Sequence, residues 1–342
     1  MKRNRTGVIA LVATGALLVA GCSSNQDNTA EQAEVADAGT GTVTIGIDVP
    51  FHPIYDYLQA NTDTIFADSG YTVEFTVLDA TTQVPSFGRG DLDVITTVPS
   101  FMPTIKEQYG IDTQYFFPMA RWTPGPQLLV AADSPVQSIE DLAGQPVAIA
   151  PLSSRFGAEQ AAVLAATGST IDTYFQLSET DAAAQELTLG RVAAAWVEAP
   201  ATAPLLAEGY RPVFSVQEAF EAAFGDPAVM NGGFISSTEF IEKNPDFITA
   251  LVTATQEAWT LFQEDPDTVI ADASEVSGLP ADQLELVAQV LNLADTTDEQ
   301  KTVSETDVNT WSELFPLLQE SGFIQTAPED AADLFVLTGS GQ

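Results

Sequence analysis

The chain is poor in bases. It has 11 lysines and arginines against 48 acidic residues, a net charge of −37 over 342 residues. A surface of that sign repels nucleic-acid backbones and anionic lipid head groups, so a nucleic-acid partner is excluded. Histidine occurs once, as His52, so no imidazole cluster can hold a metal. Cysteine also occurs once, as Cys22, so no disulfide can form within the chain. No serine stands in a G-x-S-x-G setting and no G-x-x-x-x-G-K-[ST] loop occurs. A nucleophile-elbow hydrolase and a P-loop ATPase are therefore excluded. Long apolar runs are scarce as well. The one near the start, Val8 to Ala20, is too short to span a bilayer.

What is present begins with an address. Lys2, Arg3 and Arg5 precede that apolar run, which leads into Leu18-Val19-Ala20-Gly21-Cys22. A basic segment, a short apolar segment and small residues at the cut make an export signal. Its end resembles the lipobox of bacterial lipoproteins, where a peptidase cuts before the cysteine and the thiol carries a diacylglycerol. The resemblance implies a signal peptide over 1–21 and lipidation of Cys22. The bland alternative is an ordinary secretory signal with an incidental cysteine, but a lone exposed thiol is a liability on an exported protein. Loss of the leader removes three bases and no acid, so the mature charge becomes −40 and only Lys106, Lys243 and Lys301 remain as lysines. That acid excess fits a chain working outside the cell in high salt, where counterions screen self-repulsion. Residues 22–41, rich in Asn, Gln, Glu, Ala and Gly, read as a flexible tether.

From residue 42 strands and helices alternate. Thr42–Val49 and Tyr71–Leu78 alternate like half-buried strands, and Leu92–Val98 and Gln127–Ala132 are apolar and β-branched. Helical spacing lies between them over Ile54–Phe66, with a helix or turn over Thr82–Gly90 and a helix running to Tyr109. Gln114–Trp122 is extended. The βαβαβαβ order predicts a parallel, doubly wound sheet. Gly144–Gly168 reads as strand, Ser-rich turn and helix, an arrangement that cradles anions on free N–H groups. Tyr174–Leu177, Val192–Glu198 and Tyr210–Val216 read as strands, with helices over Thr180–Leu189 and Pro200–Glu208. After a last strand, Gly232–Ser236, the chain is helical. Asn244-Pro245 and Asp265-Pro266 start helices, and Ser304 with Asp307 forms a capping-box variant ahead of Trp311 and Phe315.

The order of these parts resembles the substrate-binding proteins of ABC importers, in the branch for nitrate, taurine, aliphatic sulfonates and thiamine-pyrimidine precursors. Four phrases carry the likeness: Phe87-Gly88-Arg89-Gly90-Asp91-Leu92-Asp93-Val94, Ser138-Ile139-Glu140-Asp141-Leu142-Ala143-Gly144-Gln145-Pro146-Val147-Ala148, Leu189-Gly190-Arg191-Val192-Ala193-Ala194-Ala195-Trp196, and Phe240-Ile241-Glu242-Lys243-Asn244-Pro245. The third has Ala193 where the family usually has Asp. The resemblance implies an α/β, two-lobed type II periplasmic-binding fold with a helical C-terminal part. Lobe 1 would hold 42–131 plus 232–342 and lobe 2 would hold 132–231, with crossings near 130–133 and 231–234.

In open α/β sheets ligands bind beyond the carboxyl ends of the strands. That rule selects Asp48, Phe51 and His52 after the first strand, and Ser100 and Phe101 after the third. It also selects Ser153, Ser154 and Arg155 in the Ser-rich turn, and Trp196 with Glu198. Arg121 and Trp122 lie near the crossing, Arg121 as either a ligand contact or an ion pair. Arg155 could pair a sulfonate, phosphonate or carboxylate bidentately. The family usually has Gly-Ser-Thr where this chain has Leu152-Ser153-Ser154, so hydroxyls remain but the close-approach glycine does not. Asp48 and Glu198 could recognise an amine, so a zwitterion is as compatible as a simple anion. The resemblance implies a non-enzymatic, monomeric lipoprotein on the outer face of the cytoplasmic membrane. It would take no cofactor or metal and would pass a small polar solute to a permease driven by a separate ATPase. Two other readings stand beside it: an enzyme like the thiamine-pyrimidine synthases that consumes His52, and a surface lipoprotein that senses a ligand without transport.

Overall fold

The structure is a computed structural model. It describes residues 41–47, 52–78, 81–121, 127–151, 162, 165–166, 175–179, 182–197, 201–214 and 216–338. In chain order the strands are β1 (Gly41–Ile47), β2 (Tyr71–Val77), β3 (Val94–Thr97), β4 (Thr113–Pro118), β5 (Gln127–Val130), β6 (Gln145–Ile149), β7 (Phe175–Glu179), β8 (Ala194–Val197), β9 (Arg211–Pro212) and β10 (Gly233–Ser237). They form two five-stranded sheets, ordered β2-β1-β3-β10-β4 and β7-β6-β8-β5-β9.

The first sheet forms because Val43, Ile45 and Ile47 bury one face of β1, and β3 is buried at all four positions. β1 runs parallel to β2 and β3. Aromatic packing covers the sheet, with Phe116 stacked on Phe234 and Tyr71 edge-on to Phe247. Helices Pro53–Ala60, Pro245–Glu264, Pro266–Ser277 and Ala281–Val290 supply much of that core. A second cluster runs from Ile95 and Phe101 of this half through Trp311 and Met230 to Val147 and Trp196 of the second sheet.

A wholly parallel sheet is not what forms. β10 is antiparallel to both β3 and β4. The cause is the path of the chain. It leaves the first sheet after β4 and returns beside that exit, through an antiparallel bridge between Arg121 and Met230. A strand entering next to an exit must run the opposite way. The first crossing also falls earlier than expected. β5, expected in the first lobe, pairs with β8 and β9 of the second sheet, so the chain crosses between Pro118 and Gln127. Near the end of the second sheet, the strand expected over Tyr210–Val216 shrinks to β9, with one more bond to β5 from Val213 N–H to the Leu128 carbonyl at 3.0 Å. The helix Val216–Phe224 follows, unforeseen, burying Val216 and Phe220 one turn apart.

Asp93, in the first family phrase, has a structural task. Asp93 N–H donates to the Thr44 carbonyl at 2.9 Å, and Thr44 N–H donates to the Asp93 carboxylate at 2.8 Å. This reciprocal pair extends the β1–β3 ladder by one residue. The second sheet repeats the geometry: Ile45 pairs with Val94 as Val147 pairs with Ala194. Pro146 and Ala193 therefore stand where Thr44 and Asp93 do. Ala193 N–H donates to the Pro146 carbonyl at 2.8 Å. Proline has no N–H for a carboxylate to accept, so the aspartate has no work there and alanine replaces it.

The C-terminal helices start as their sequences imply. Ser304 Oγ accepts from Asp307 N–H while the Asp307 carboxylate accepts from Ser304 N–H, closing the capping box. Asn244 sits at the N-cap position but turns its side chain back, donating to the Phe240 carbonyl and accepting from the Tyr71 hydroxyl.

Candidate functional site

β1, β3 and β4 point the same way, so their carboxyl ends share one edge, which the amino end of β10 joins. At this edge stand three deeply buried polar residues: Thr97 (1% exposed), Ser100 (0%) and Asn231 (5%). Among the described residues, Thr97 Oγ1, Ser100 Oγ and Asn231 Oδ1 have no hydrogen-bond partner. Thr97 ends β3, and Ser100 follows in a 3₁₀ turn started by Pro99. Gly233 faces Thr97 across the ladder, and two residues before it Asn231 N–H donates to the Ala120 carbonyl at 2.9 Å. Behind them lies Gln83, buried at the start of the helix Gln83–Gly88. Its Nε2 donates to Thr96 Oγ1 at 3.4 Å while its Oε1 has no partner. Gly46 makes room chiefly for Leu92: a Cβ there would stand 2.7 Å from Leu92 Cδ1, with Gln83 Cγ at 3.4 Å. Each buried group without a partner costs about 1–3 kcal/mol. Such groups near strand ends are what a bound polar molecule would satisfy.

Arg121 is not such a group. It donates to both carboxylate oxygens of Asp307, at 2.5 and 3.1 Å, and to the carbonyls of Gln300, Ala228 and Thr302, each at 2.9 Å. A guanidinium has five donors. All five are spent, so the expectation of a ligand contact gives way to the ion pair. Trp311 Nε1 adds a bond to the Met230 carbonyl at 3.0 Å. The helix Glu305–Glu320 thus grips both crossings.

His52 is buried and caps the helix Pro53–Ala60. Nδ1 accepts from Ile54 N–H at 3.3 Å, and Nε2 lies 3.3 Å from the Met119 carbonyl, to which it donates in that tautomer. Its ring packs against Tyr55 at 4.7 Å. One turn on, Asp56 is buried with Oδ2 lacking a partner, and burial pushes its carboxyl up to about 7.

Of the other expected residues, Phe101 is buried in the central core and packs against Phe323. Trp196 is buried in β8, edge-on to Phe214 at 5.9 Å, with its Nε1 lacking a partner. Asp48, Phe51, Trp122, Ser153, Ser154, Arg155, Glu198 and Cys22 lie outside the described residues. Thr97, Gln83 and Asn231 were not anticipated. The strand-end rule could have reached Thr97, and the Asn231-Gly232-Gly233 step marked the return crossing. Among the described residues no group of three His, Cys, Asp or Glu side chains could hold a metal ion.

Two five-stranded α/β sheets joined by a paired crossing, with polar groups waiting at the strand ends, define a solute-binding protein of the two-sheet periplasmic class. The chain belongs to the family of ABC-transporter phosphonate periplasmic substrate-binding proteins, whose profile matches residues 49–251. No curated protein sequence matches it. Among solved structures it is similar to the periplasmic aliphatic sulphonate-binding protein SsuA from Escherichia coli, at 18% identity and a TM-score of 0.67, over 88% of this chain and 94% of that one. It is also similar to the alkanesulfonate-binding protein SsuA from Xanthomonas axonopodis pv. citri bound to MOPS, at 17% identity and 0.64, over 86% and 98%. The desulfurization enzyme DSZB shares the fold more distantly, at 14% identity and 0.55, over 86% and 97%. The fold is therefore the type II periplasmic-binding fold, and the family is one of exported binding components of import systems, not of enzymes. Among the described residues no helix is long and apolar enough to cross a membrane.

Proposed function

We propose that the chain is the lipid-anchored solute-binding component of an ABC importer and captures a small organic sulfonate or phosphonate between two lobes. The observation that carries this is the pair of buried hydroxyls without partners, Thr97 and Ser100, at the carboxyl end of β3. Hydroxyl donors suit a tetrahedral oxyanion. The phosphonate of the family and the sulphonates named for the similar structures share that head group.

In this reading the first lobe comprises about 41–121 and 231–338, and the second about 127–230, each built on one sheet. Ser153, Ser154 and Arg155 are the residues proposed to meet the ligand from the second lobe. Arg155 supplies the bidentate cation that Arg121 cannot. Asp48, Phe51, Phe101, Trp122, Trp196 and Glu198 line the remainder, while His52 and Arg121 serve the fold. Ligand touching both lobes stabilises their closed arrangement, which docks on the permease. Lipid on Cys22 and the tether over 22–41 hold a monomer at the outer face of the cytoplasmic membrane. An enzyme that consumes His52 gains no support from a ring whose two nitrogens are both engaged.

Calorimetry of the full-length protein against alkanesulfonates, alkylphosphonates, nitrate and pyrimidines tests the reading. A sulfonate or phosphonate should bind with one-to-one stoichiometry. If no small molecule binds while a protein partner does, the importer reading fails. Genes for a permease and an ATPase beside this one separate import from sensing.

A further inference from the structure

The C-terminal helices line a cavity of their own, with a volume of about 360 Å³. It lies among the end of helix Pro245–Glu264, the start of helix Pro266–Ser277, helix Ala281–Val290 and the 3₁₀ turn Leu293–Asp295. All of its lining residues fall beyond the stretch 49–251 that the family profile matches. We infer that this cavity is a second binding site, for a small organic cation with an apolar body such as an arylalkyl ammonium. Phe262 and Ile270 would seat the body, and Glu285 and Asp295 would meet the charge.

The site is built by local rules. Glu285, Ala288 and Gln289 stand three and four residues apart on one helix, so they share a face. Phe262, Ile270 and Ala288 are buried and form an apolar floor. Ala288 and Ala294 reach no further than a methyl group, which leaves the space open. Asn292 turns the chain with a φ of 54°, a left-handed conformation that asparagine tolerates, and the turn after it carries Ala294 and Asp295 to the cavity. That turn is pinned from behind. Trp259 Nε1 donates to the Leu293 carbonyl at 3.1 Å, and Gln263 Nε2 donates to the carbonyls of Ala294 and Thr296 at 3.2 and 2.8 Å. The wall is therefore in place without a ligand, which spares binding the cost of ordering it.

Charge selects the occupant. A cavity of this size, apolar with a few polar groups, is of the kind that takes a small molecule. Its charged lining residues, Glu285 and Asp295, have one sign. No lysine, arginine or histidine occurs between Lys243 and Lys301, the stretch that supplies the whole lining. Lys301 itself is buried and donates to Gln263 Oε1 and Asp298 Oδ1 at 2.8 and 3.1 Å. Two carboxylates repel an anion and gain nothing from a neutral molecule, whereas an organic cation gains both the floor and the charge. Phe262 supplies an aromatic ring, a surface that cations favour.

The test compares three compounds that share a phenyl ring, titrated calorimetrically into the full-length protein: 2-phenylethylammonium, 2-phenylethanol and 3-phenylpropanoate. The ammonium should bind one-to-one and at least tenfold more tightly than the alcohol, and the carboxylate should not bind. Equal binding of the alcohol, or no binding of the ammonium, overturns the inference. Glu285→Gln with Asp295→Asn should bring the ratio of ammonium to alcohol toward one. Asp133→Asn with Glu221→Gln removes as much charge from exposed positions outside the cavity and should leave the ratio as it is. An equal fall in both double variants would show attraction to the acidic surface at large and overturns the site. Ala288→Phe should fill the cavity and weaken the ammonium at least tenfold. Circular dichroism checks its fold, and the charge variants decide alone if it does not fold. Thr97→Val with Ser100→Ala should leave ammonium binding unchanged. Loss of binding there would place the cation at the strand ends instead and overturn the second site, while an empty cavity leaves the oxyanion reading untouched.

Discussion

Arg121 and Asp307 form a bidentate ion pair between residues 186 positions apart, with side chains only 10% and 1% exposed. Asp307 also closes the capping box of the last long helix, and Arg121 holds the carbonyls of Ala228, Gln300 and Thr302. One pair therefore ties the outgoing crossing, the returning crossing and the C-terminal helix together. Removing one member of a buried pair strands the other, which costs about 3–5 kcal/mol. Urea denaturation should show a loss of that order for Asp307→Ala and for Arg121→Ala. The double variant should lose less than their sum. Arg121→Lys should recover little, since an ammonium cannot span a carboxylate and three carbonyls. Wild-type stability in Arg121→Ala would contradict the clamp.

The Pro146–Ala193 pair predicts a sign change. Ala193→Asp alone places a carboxylate opposite a proline with no N–H and should destabilise by about 1 kcal/mol or more. With Pro146→Thr added, the Thr44–Asp93 arrangement is rebuilt, and the loss should shrink or reverse. The coupling read from a double-mutant cycle in denaturant decides it. Additive effects would mean that the missing N–H does not explain the alanine.

Asp56 predicts a pH dependence. Its folded pKa is raised from 3.8 to about 7 by burial. The folded state thus holds a proton that the unfolded state has released between those values. The group's contribution is at its best below about 3.8 and is lost as pH rises through 7, a span worth at most about 4 kcal/mol. Asp56→Asn should leave the melting temperature nearly unchanged at pH 4 and raise it at pH 8. A variant no more stable than wild type at pH 8 would show that the carboxyl is not buried uncharged.

At the proposed site, Ser100→Ala and Thr97→Val each remove one hydroxyl without altering the strand. A hydrogen bond to a charged group contributes about 1.5–3 kcal/mol. Each change should therefore weaken an oxyanion ligand about tenfold or more in calorimetry. Unaltered affinity in both would move the ligand away from β3.

Net charge predicts a salt effect. With 48 acids against 11 bases, the folded chain repels itself. The screening length falls from about 10 Å at 0.1 M to about 3 Å at 1 M. The melting temperature should climb between low and molar sodium chloride, and a flat response would remove the high-salt reading of the composition.

What the sequence determined by itself was local or global, never intermediate in range. The excess of acid and the alternation of strand and helix follow from composition and from periods of two and 3.6. The capping box at Ser304 is visible because its partners are three residues apart. The strand-end rule that selected Ser100 as a candidate is likewise local, since it needs only the order of strand and turn. The tertiary structure alone decided the direction of β10, because that depends on where the chain re-enters the sheet. It also decided what Arg121 does. A guanidinium beside a crossing reads equally well as ligand contact or clamp until its carboxylate is found 186 residues away. The partnerless oxygens of Thr97, Asn231 and Gln83 belong to the same kind of knowledge. Whether a polar side chain finds a partner depends on every element packed around it, and no local pattern carries that.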